Sequence, residues 1–467
     1  MTLCGTIKWN RILLLSATVV SLTYSRQQST QKPAELPSYK LTVGQVLNYE
    51  SSSNFAGKDY SYQITDKCEI WVLGRNADGS WRLLSRNENT YKSANPPTDQ
   101  KGIELTYVTL FPDGRIETNQ IPYSHNVVLL RTCFIMLPSD PTLLRTTWQR
   151  PNRQTNETYI YTLSPEGNPD QGRWIFQKTT NSLSDEIYGL NKKSKIHFDA
   201  NKGLVDKIEN SYSQNYGLVG TTEQTINLTG ITDVDADFIG QLSKDAEAYF
   251  SAQDTYESMI DALGEHPDSP DEQVSKARNI LVSAQKKVSH PLFADRLKEM
   301  LTRHDKSAEF LKQRAATQNP VLNKPSPDWQ TTDFQGKTYS MQALRGKVVV
   351  LDFWYRGCIW CIRSMPQIKE LADSFAGQNV VILGMNIDKD PNDAKFVIEK
   401  MKLTYPNLKA QDIAEKYSVR GYPTMLIIDT NGIVKDFNIG YQPSLRDVII
   451  TKIKPLLPPI PDKTTPK

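Results

Sequence analysis

The stretch from Val348 to Trp354, VVVLDFW, strongly constrains the fold because six of its seven residues are apolar. A run this apolar predicts a central β-strand that is buried on both faces. Tyr355 to Gly357 then turn the chain, and a helix can begin within the next four residues, CIWC. Cys358 is therefore expected at the N-terminal end of a helix, where unpaired N–H groups and the helix dipole stabilise a thiolate.

The two cysteines of this segment, Cys358 and Cys361, have a spacing that suits a metal site, a structural disulfide or redox exchange. Structural zinc takes four ligands, usually two such pairs or one pair with two histidines. The chain has one such pair, and its five histidines all lie upstream of it. A static disulfide across so short a loop adds little stability through chain entropy. Redox exchange is therefore favoured, with Cys358 as nucleophile and Cys361 releasing the mixed disulfide. Neither a metal nor a cofactor is expected.

The pattern of apolar residues changes twice along the chain. Short alternating runs separated by ADG, PDG and NKG turns come first, and they predict an antiparallel sheet, a sandwich or a half-open barrel. A stretch rich in Ala, Glu, Lys, Gln and Leu follows, with apolar residues at helical spacing, and it predicts two or three helices that form a small bundle or act as a spacer. After the boundary NPVLNKPSPDW, strands alternate with helices, as in an α/β layer fold. The predicted segments are a signal peptide (1–25), a linker (26–38), a mainly antiparallel β domain (39–238), a helical segment (239–317), an α/β domain (318–458) and a disordered tail (459–467).

The N-terminal residues predict export. Lys8 and Arg11 precede an apolar run over residues 12–20, and the small residues Thr23 and Ser25 follow it. This order is typical of a secretory signal peptide, and the run is short for crossing a bilayer. An uncleaved N-terminal membrane anchor is the second interpretation. In either case the protein is expected in the periplasm or cell envelope.

The sequences DFWYRGCIWC and VRGYPT resemble the active-site segment and the cis-proline segment of thioredoxins. With LRGKVVVLDFW, NIDKDPND and YPTMLIIDTNGIV, the longer pattern resembles the envelope-facing TlpA-type thioredoxins, from Lys324 to Leu457. The resemblance implies a thioredoxin fold and disulfide exchange with envelope proteins. It implies that Cys358 attacks, that Cys361 resolves, and that Asp352 is a buried carboxylate that accepts the proton of Cys361.

The resemblance also implies a substrate-binding surface around a cis peptide bond before Pro423. There the backbone at Tyr422 would pair with an extended substrate segment, which is a form of β-strand addition. The substrate-contacting residues implied in this way are Tyr422, Pro423, Thr424, Trp354, Ile359 and Trp360.

Three features depart from the family pattern. Gly357 stands where tryptophan is usual, and Ile359 and Trp360 replace the Gly-Pro of thioredoxin between the cysteines. Gly384 stands where a lysine accompanies the thioredoxin carboxylate. Residues beside the thiolate change its pKa and the reduction potential, so the sequence does not predict the direction of electron transfer.

Other functions compete with this prediction. A peroxiredoxin-like antioxidant enzyme would place Thr and Pro ahead of the reactive cysteine, and the residues 355–357 provide neither at that spacing. Copper delivery in a related family needs CxxxC and a distal histidine, which this segment lacks. An envelope binding or structural protein, in which the β domain is the main functional part, stays open because two thirds of the chain lies outside the thioredoxin-like part.

The expected partners are protein thiols and disulfides of the envelope, together with an unidentified electron donor or acceptor. Nucleic acid is not expected, because the net charge is only +3 and the chain has no dense Lys/Arg block. Cys68 and Cys133 stand apart from the pair, and the sequence leaves open whether they form a disulfide or remain buried free thiols.

Overall fold

The computed structural model describes residues 36–457 apart from 59, 119–123, 146, 153–156, 215–218, 262, 264–268, 317–320 and 443. The predicted signal peptide or anchor, most of the predicted linker and the predicted tail lie outside the described residues. Within them, no helix combines the length and the apolar character that a bilayer span requires. The predicted fold class is confirmed: a large antiparallel sheet precedes helices and a C-terminal domain with a mixed sheet.

The N-terminal part forms an eleven-stranded antiparallel sheet among the described residues. Its strands are β1 (Gln45–Gly57), β2 (Ser61–Arg75), β3 (Trp81–Ala94), β4 (Pro97–Leu110), β5 (Ile116–Glu117), β6 (Trp148–Asn152), β7 (Glu157–Leu163), β8 (Arg173–Asn181), β9 (Asn191–Asp199), β10 (Leu204–Gln214) and β11 (Gly220–Asp233). The strand order is β5-β4-β3-β2-β1-β11-β10-β9-β8-β7-β6, so pairing of β1 with β11 joins two meanders. The predicted ADG and PDG turns place Gly79 and Gly114 at positive φ, which glycine adopts without steric cost.

The first two thirds of the chain contain five helices among the described residues, and four of them, all except the second, pack on the faces of this sheet. The helices are α1 (His125–Cys133), α2 (Leu183–Tyr188), α3 (Ala236–Asp261), α4 (Pro270–Gln285) and α5 (Pro291–Ala316). Ser85 of β3 accepts a hydrogen bond from Asn126 of α1 at 2.8 Å, whereas the neighbouring Leu84 packs with α3 to α5. Because successive strand residues point to opposite faces, α1 and the three long helices lie on opposite sides of the sheet. The interpretation of the helical segment as a spacer was wrong, since Phe250 and Phe293 form one core with the sheet.

The C-terminal part is built on a five-stranded mixed sheet of order β16-β15-β14-β17-β18 and a short hairpin, β12-β13. The strands are β12 (Gln330–Thr332), β13 (Thr338–Ser340), β14 (Val348–Trp354), β15 (Val380–Asn386), β16 (Asn407–Lys409), β17 (Thr424–Ile428) and β18 (Val434–Ile439). The helices are α6 (Ile359–Ser374), α7 (Pro391–Met401), α8 (Gln411–Lys416) and α9 (Leu445–Ile453). The central strand β14 runs parallel to β15 and antiparallel to β17. All seven of its residues are buried, which confirms the sequence prediction.

The two faces of β14 pack against different layers. Its odd-numbered residues 349, 351 and 353 pack in a cluster with Trp329 and Tyr417. Its even-numbered residues 348 and 350 pack against apolar residues of α6 and α9. Asp352 and Trp354 therefore lie on the face that α6 covers, and this helix also holds Cys361.

Candidate redox site

The cysteine pair lies where β14 ends and α6 begins. Cys358 is the N-cap residue of α6, and its Sγ accepts a hydrogen bond from the Cys361 N–H at 3.1 Å. The two residues form a disulfide with Cα atoms 5.2 Å apart. Cys358 retains 6% exposure and Cys361 only 1%, so the first cysteine is the more accessible. Once the disulfide is reduced, the N-terminal N–H groups of α6 favour a thiolate at Cys358.

Asp352 is a buried carboxyl group that has no ion-pair partner in the part of the chain that the structure describes. It is 1% exposed, and neither carboxylate oxygen has a hydrogen-bond partner among the described residues. Burial raises the pKa of Asp352 from 3.8 to about 7, because the ionised form loses its hydration. The group can therefore both take up and release a proton near neutral pH.

The space beside Asp352 explains the glycine at position 384. Gly384 lies opposite Asp352 on β15, and a Cβ added there would come within 2.0 Å of Asn407 Oδ1. That oxygen accepts a hydrogen bond from Trp354 Nε1 at 3.0 Å. The Trp354–Asn407 pair thus occupies the room that a side chain at position 384 would need. No counter-charge for Asp352 can come from that position.

On the β17 side, aromatic rings surround the predicted substrate-binding loop. The Tyr422–Pro423 peptide bond is cis. The Tyr422 ring contacts Tyr355 edge to face, with centroids 5.3 Å apart. Trp360, in the first turn of α6, stacks on Tyr441 at 5.7 Å. The end of β14 is therefore bordered on this side by half-buried aromatic surface.

Comparison with known proteins identifies the family to which the chain belongs. The AhpC/TSA family model matches residues 322–437. The thiol-disulfide oxidoreductase ResA of Geobacillus thermodenitrificans is 30% identical over 135 residues, which are 28% of this chain and 76% of the relative. ResA of Geobacillus kaustophilus is 33% identical over 122 residues, or 26% of this chain and 70% of the relative. The chain belongs to the ResA-like thiol-disulfide oxidoreductases. The matched region is its C-terminal oxidoreductase domain, and the cysteine pair is at the CxxC spacing of such enzymes.

Two solved structures each match a little over a quarter of this chain. The exposed lipoprotein thioredoxin of Streptococcus pneumoniae is 30% identical, with a TM-score of 0.25, and the match covers 28% of this chain and all of that one. A thiol:disulfide interchange protein of Chlorobium tepidum is 20% identical, with a TM-score of 0.26, over 28% of this chain and 94% of that one.

The predicted substrate-contacting residues differ in accessibility within the oxidoreductase domain. Ile359, Trp360 and Tyr422 are half-buried and lie around the cysteine pair, whereas Pro423 is buried. Trp354 and Thr424 have no exposed surface. The Thr424 hydroxyl donates to the Gly421 carbonyl at 2.7 Å, and Trp354 bonds Asn407. The side chains of these two residues shape the loop and the strand end from inside.

Sequence reasoning did not identify Arg356, which fixes the turn before Cys358. Its backbone N–H donates to the Asp388 carboxylate at 3.0 and 3.1 Å, and its guanidinium pairs with Asp393 at 2.7 Å. Its carbonyl oxygen accepts a hydrogen bond from the Tyr188 hydroxyl at 2.9 Å. Tyr188 belongs to the large β-sheet domain, 168 residues upstream of Arg356. No local sequence pattern connects positions so far apart.

Proposed function

We propose that the chain is an exported thiol-disulfide oxidoreductase that exchanges disulfides with proteins of the cell envelope. The observation that supports this function best is the disulfide between Cys358 and Cys361 at the start of α6. The thiolate of reduced Cys358 attacks one sulfur of a substrate disulfide, and the other substrate sulfur leaves as a thiolate. Cys361 then attacks Cys358 Sγ, which closes the internal disulfide and releases the second substrate thiol. The substrate gains two electrons, and a thiol donor returns two electrons to the protein.

Asp352 is proposed to accept the proton of Cys361 in the second step. Three observations support this role: the group is buried, it lies on the face of β14 that α6 covers, and its pKa is raised to about 7 by burial. A base with a pKa near the working pH suits proton transfer best. When the enzyme runs in the oxidising direction, the same carboxyl group returns the proton to Cys361.

Substrate binding is proposed on the β17 side of the site. The backbone at Tyr422 would pair with an extended segment of the substrate, and Ile359 and Trp360 would contact its side chains. Main-chain pairing gives affinity with little demand on sequence, which suits an enzyme with several protein substrates. The proposed organisation is a β domain (39–238), a helical segment (239–317) and the oxidoreductase domain (318–458), preceded by an export signal.

Trapping the mixed disulfide tests the proposed function. A Cys361→Ser variant of the full chain, expressed with its N-terminal segment and quenched with acid, should accumulate covalent adducts on non-reducing gels. Peptide mass mapping should locate these adducts at Cys358. The Cys358→Ser variant is the matched control and should show none. If Cys361→Ser yields no adduct to an envelope protein, the proposed function is wrong.

The reduction potential of the pair gives the direction of transfer. The full chain can be equilibrated against dithiol buffers, with the fraction of the Cys358–Cys361 disulfide measured by alkylation and mass spectrometry. A value near about −270 mV would identify a reductant, and one near about −120 mV an oxidant of folding proteins.

A further inference from the structure

The short helix α2 of the β-sheet domain lies directly against the redox site. Ile187 and Tyr188, its last two residues, are 1% and 6% exposed. They belong to the same apolar cluster as Cys358 and Cys361. The Tyr188 hydroxyl donates to the carbonyl oxygen of Arg356, two residues before Cys358. Part of the wall around the cysteine pair therefore comes from the other domain of the chain.

This helix is held firmly by its own domain. The Ser182 side chain caps it by accepting the Asp185 N–H at 3.0 Å, and Gly189 ends it at φ 60°. Asp185 is buried and pairs with Lys192 of β9 at 2.8 Å. Because α2 is anchored at both ends and through its middle, it presents a fixed surface to the oxidoreductase domain.

Further contacts define which side of the site α2 covers. The Arg356 guanidinium donates to the Ile187 carbonyl at 3.4 Å. Lys400 of α7 lies 3.7 Å from the carboxylate of Glu186. Helix α7 follows β15, whereas the cis-proline precedes β17, and these two strands lie on opposite sides of β14. The β-sheet domain thus covers one side of the cysteine pair, opposite the substrate-binding loop.

We propose that α2 is a specificity-determining wall of the redox site and that Tyr188 is the positioning residue of the turn before Cys358. The wall confines large substrates to the β17 side, where Trp360 and Tyr422 are half-buried and Ile439 is 58% exposed. That side accepts an extended, partly apolar polypeptide segment. The broad surface of a folded substrate would collide with α2 before it reached the cysteine pair. This inference rests on the proposed function and specifies its substrate class as unfolded or locally extended polypeptides.

Alkylation of the reduced full chain with two maleimides of different size tests the wall. N-ethylmaleimide and poly(ethylene glycol)-maleimide undergo the same addition of the Cys358 thiolate, so their rate ratio reports access alone. Tyr188→Ala should raise the rate with the large reagent by about tenfold, equivalent to about 1.4 kcal/mol in the barrier. The rate with the small reagent should change much less. Equal changes with both reagents, or no change with the large one, would show that α2 is not a wall.

A surface variant covers the case in which Tyr188→Ala does not fold. Lys400→Glu places a like charge opposite Glu186, and both side chains are about half exposed. Like Tyr188→Ala, it should raise the alkylation rate with the large reagent. The double variant Lys400→Glu/Glu186→Lys should restore the wild-type rate. If Lys400→Glu leaves the rate ratio unchanged while Tyr188→Ala is unfolded, the wall is rejected.

The positioning role of Tyr188 has its own measurement. Tyr188→Phe keeps the ring but removes the hydrogen bond to Arg356, so the rate ratio should stay at the wild-type value. The pH midpoint of N-ethylmaleimide labelling at Cys358 should move, because the turn before the thiolate is released. Tyr256→Phe is the matched control, since it removes a tyrosine hydroxyl bonded to His304 at 3.2 Å, away from the site. An unchanged midpoint in Tyr188→Phe would exclude the positioning role. Alkylation needs no disulfide exchange, so a failure here is distinct from a failure to trap a mixed disulfide.

Discussion

The buried carboxyl group of Asp352 should make the stability of the oxidoreductase domain depend on pH. Burial raises its pKa from 3.8 to about 7, a difference of about three pKa units. Each unit corresponds to about 1.4 kcal/mol, so keeping the ionised group buried costs about 4 kcal/mol. Because the folded state holds the proton more tightly than the unfolded state, the free energy of unfolding falls as pH rises between these two values. The contribution of Asp352 to this free energy becomes constant above the raised pKa.

An Asp352→Asn variant should remove this pH dependence. Between about pH 5 and pH 8 the wild-type domain should lose about 3 kcal/mol of stability through this group, and the variant none of it. Asparagine leaves a buried amide unpaired, at a cost that does not depend on pH. The slope of stability against pH is therefore the quantity to compare, with the disulfide kept oxidised in both proteins.

Hydrogen exchange measured by mass spectrometry suits this comparison, because global unfolding of a multidomain chain is not a two-state process. Peptides that cover β14 report the opening free energy of this domain alone, once the intrinsic exchange rates are corrected for pH. A wild-type slope no steeper than that of Asp352→Asn would refute the argument. It would mean that Asp352 is hydrated or paired in solution and has an ordinary pKa.

Three further outcomes are expected. Gly384→Ala should destabilise the oxidoreductase domain by about 1–3 kcal/mol in denaturant titrations, because the new Cβ collides with the bonded Asn407 amide. Cys68 and Cys133 are buried free thiols, so both should take up label in unreduced, denatured protein, as read by peptide mapping. The hydrogen bond to buried Asp66 raises the pKa of His125, so the protection factors of amides near α1, with the intrinsic exchange rates corrected for pH, should fall as pH rises through that raised pKa.

The sequence predicts the oxidoreductase domain well, because its signals are local. Seven consecutive positions specify the buried strand β14, and the two cysteines follow it within one turn and the start of a helix. The departure at Gly384 was also visible in sequence. Its cause was not, since Asn407 and Trp354 meet at that point only through the pairing of β14, β15 and β16.

The larger sheet shows what local patterns cannot specify. Alternation and turn sequences predicted hairpins, but the order of the sheet depends on β1 pairing with β11, more than 150 residues apart in sequence. Apolar residues of α4 and α5 were visible at helical spacing in the sequence. The packing of these helices on the sheet could not be inferred, because periodicity shows that one face of a helix is buried but does not identify the element that buries it.

The same reasoning explains why only one side of the redox site could be predicted from sequence. Residues of the β14 turn, α6 and the β17 loop are specified by the CxxC and cis-proline motifs, and these motifs mark the side on which substrate binding is proposed. The opposite side depends on a hydrogen bond between Tyr188 and the backbone of Arg356. A backbone acceptor places no demand on the identity of residue 356, so no motif marks the contact. The chemistry of the cysteine pair is therefore local in sequence, whereas access to the pair is a property of the folded chain as a whole.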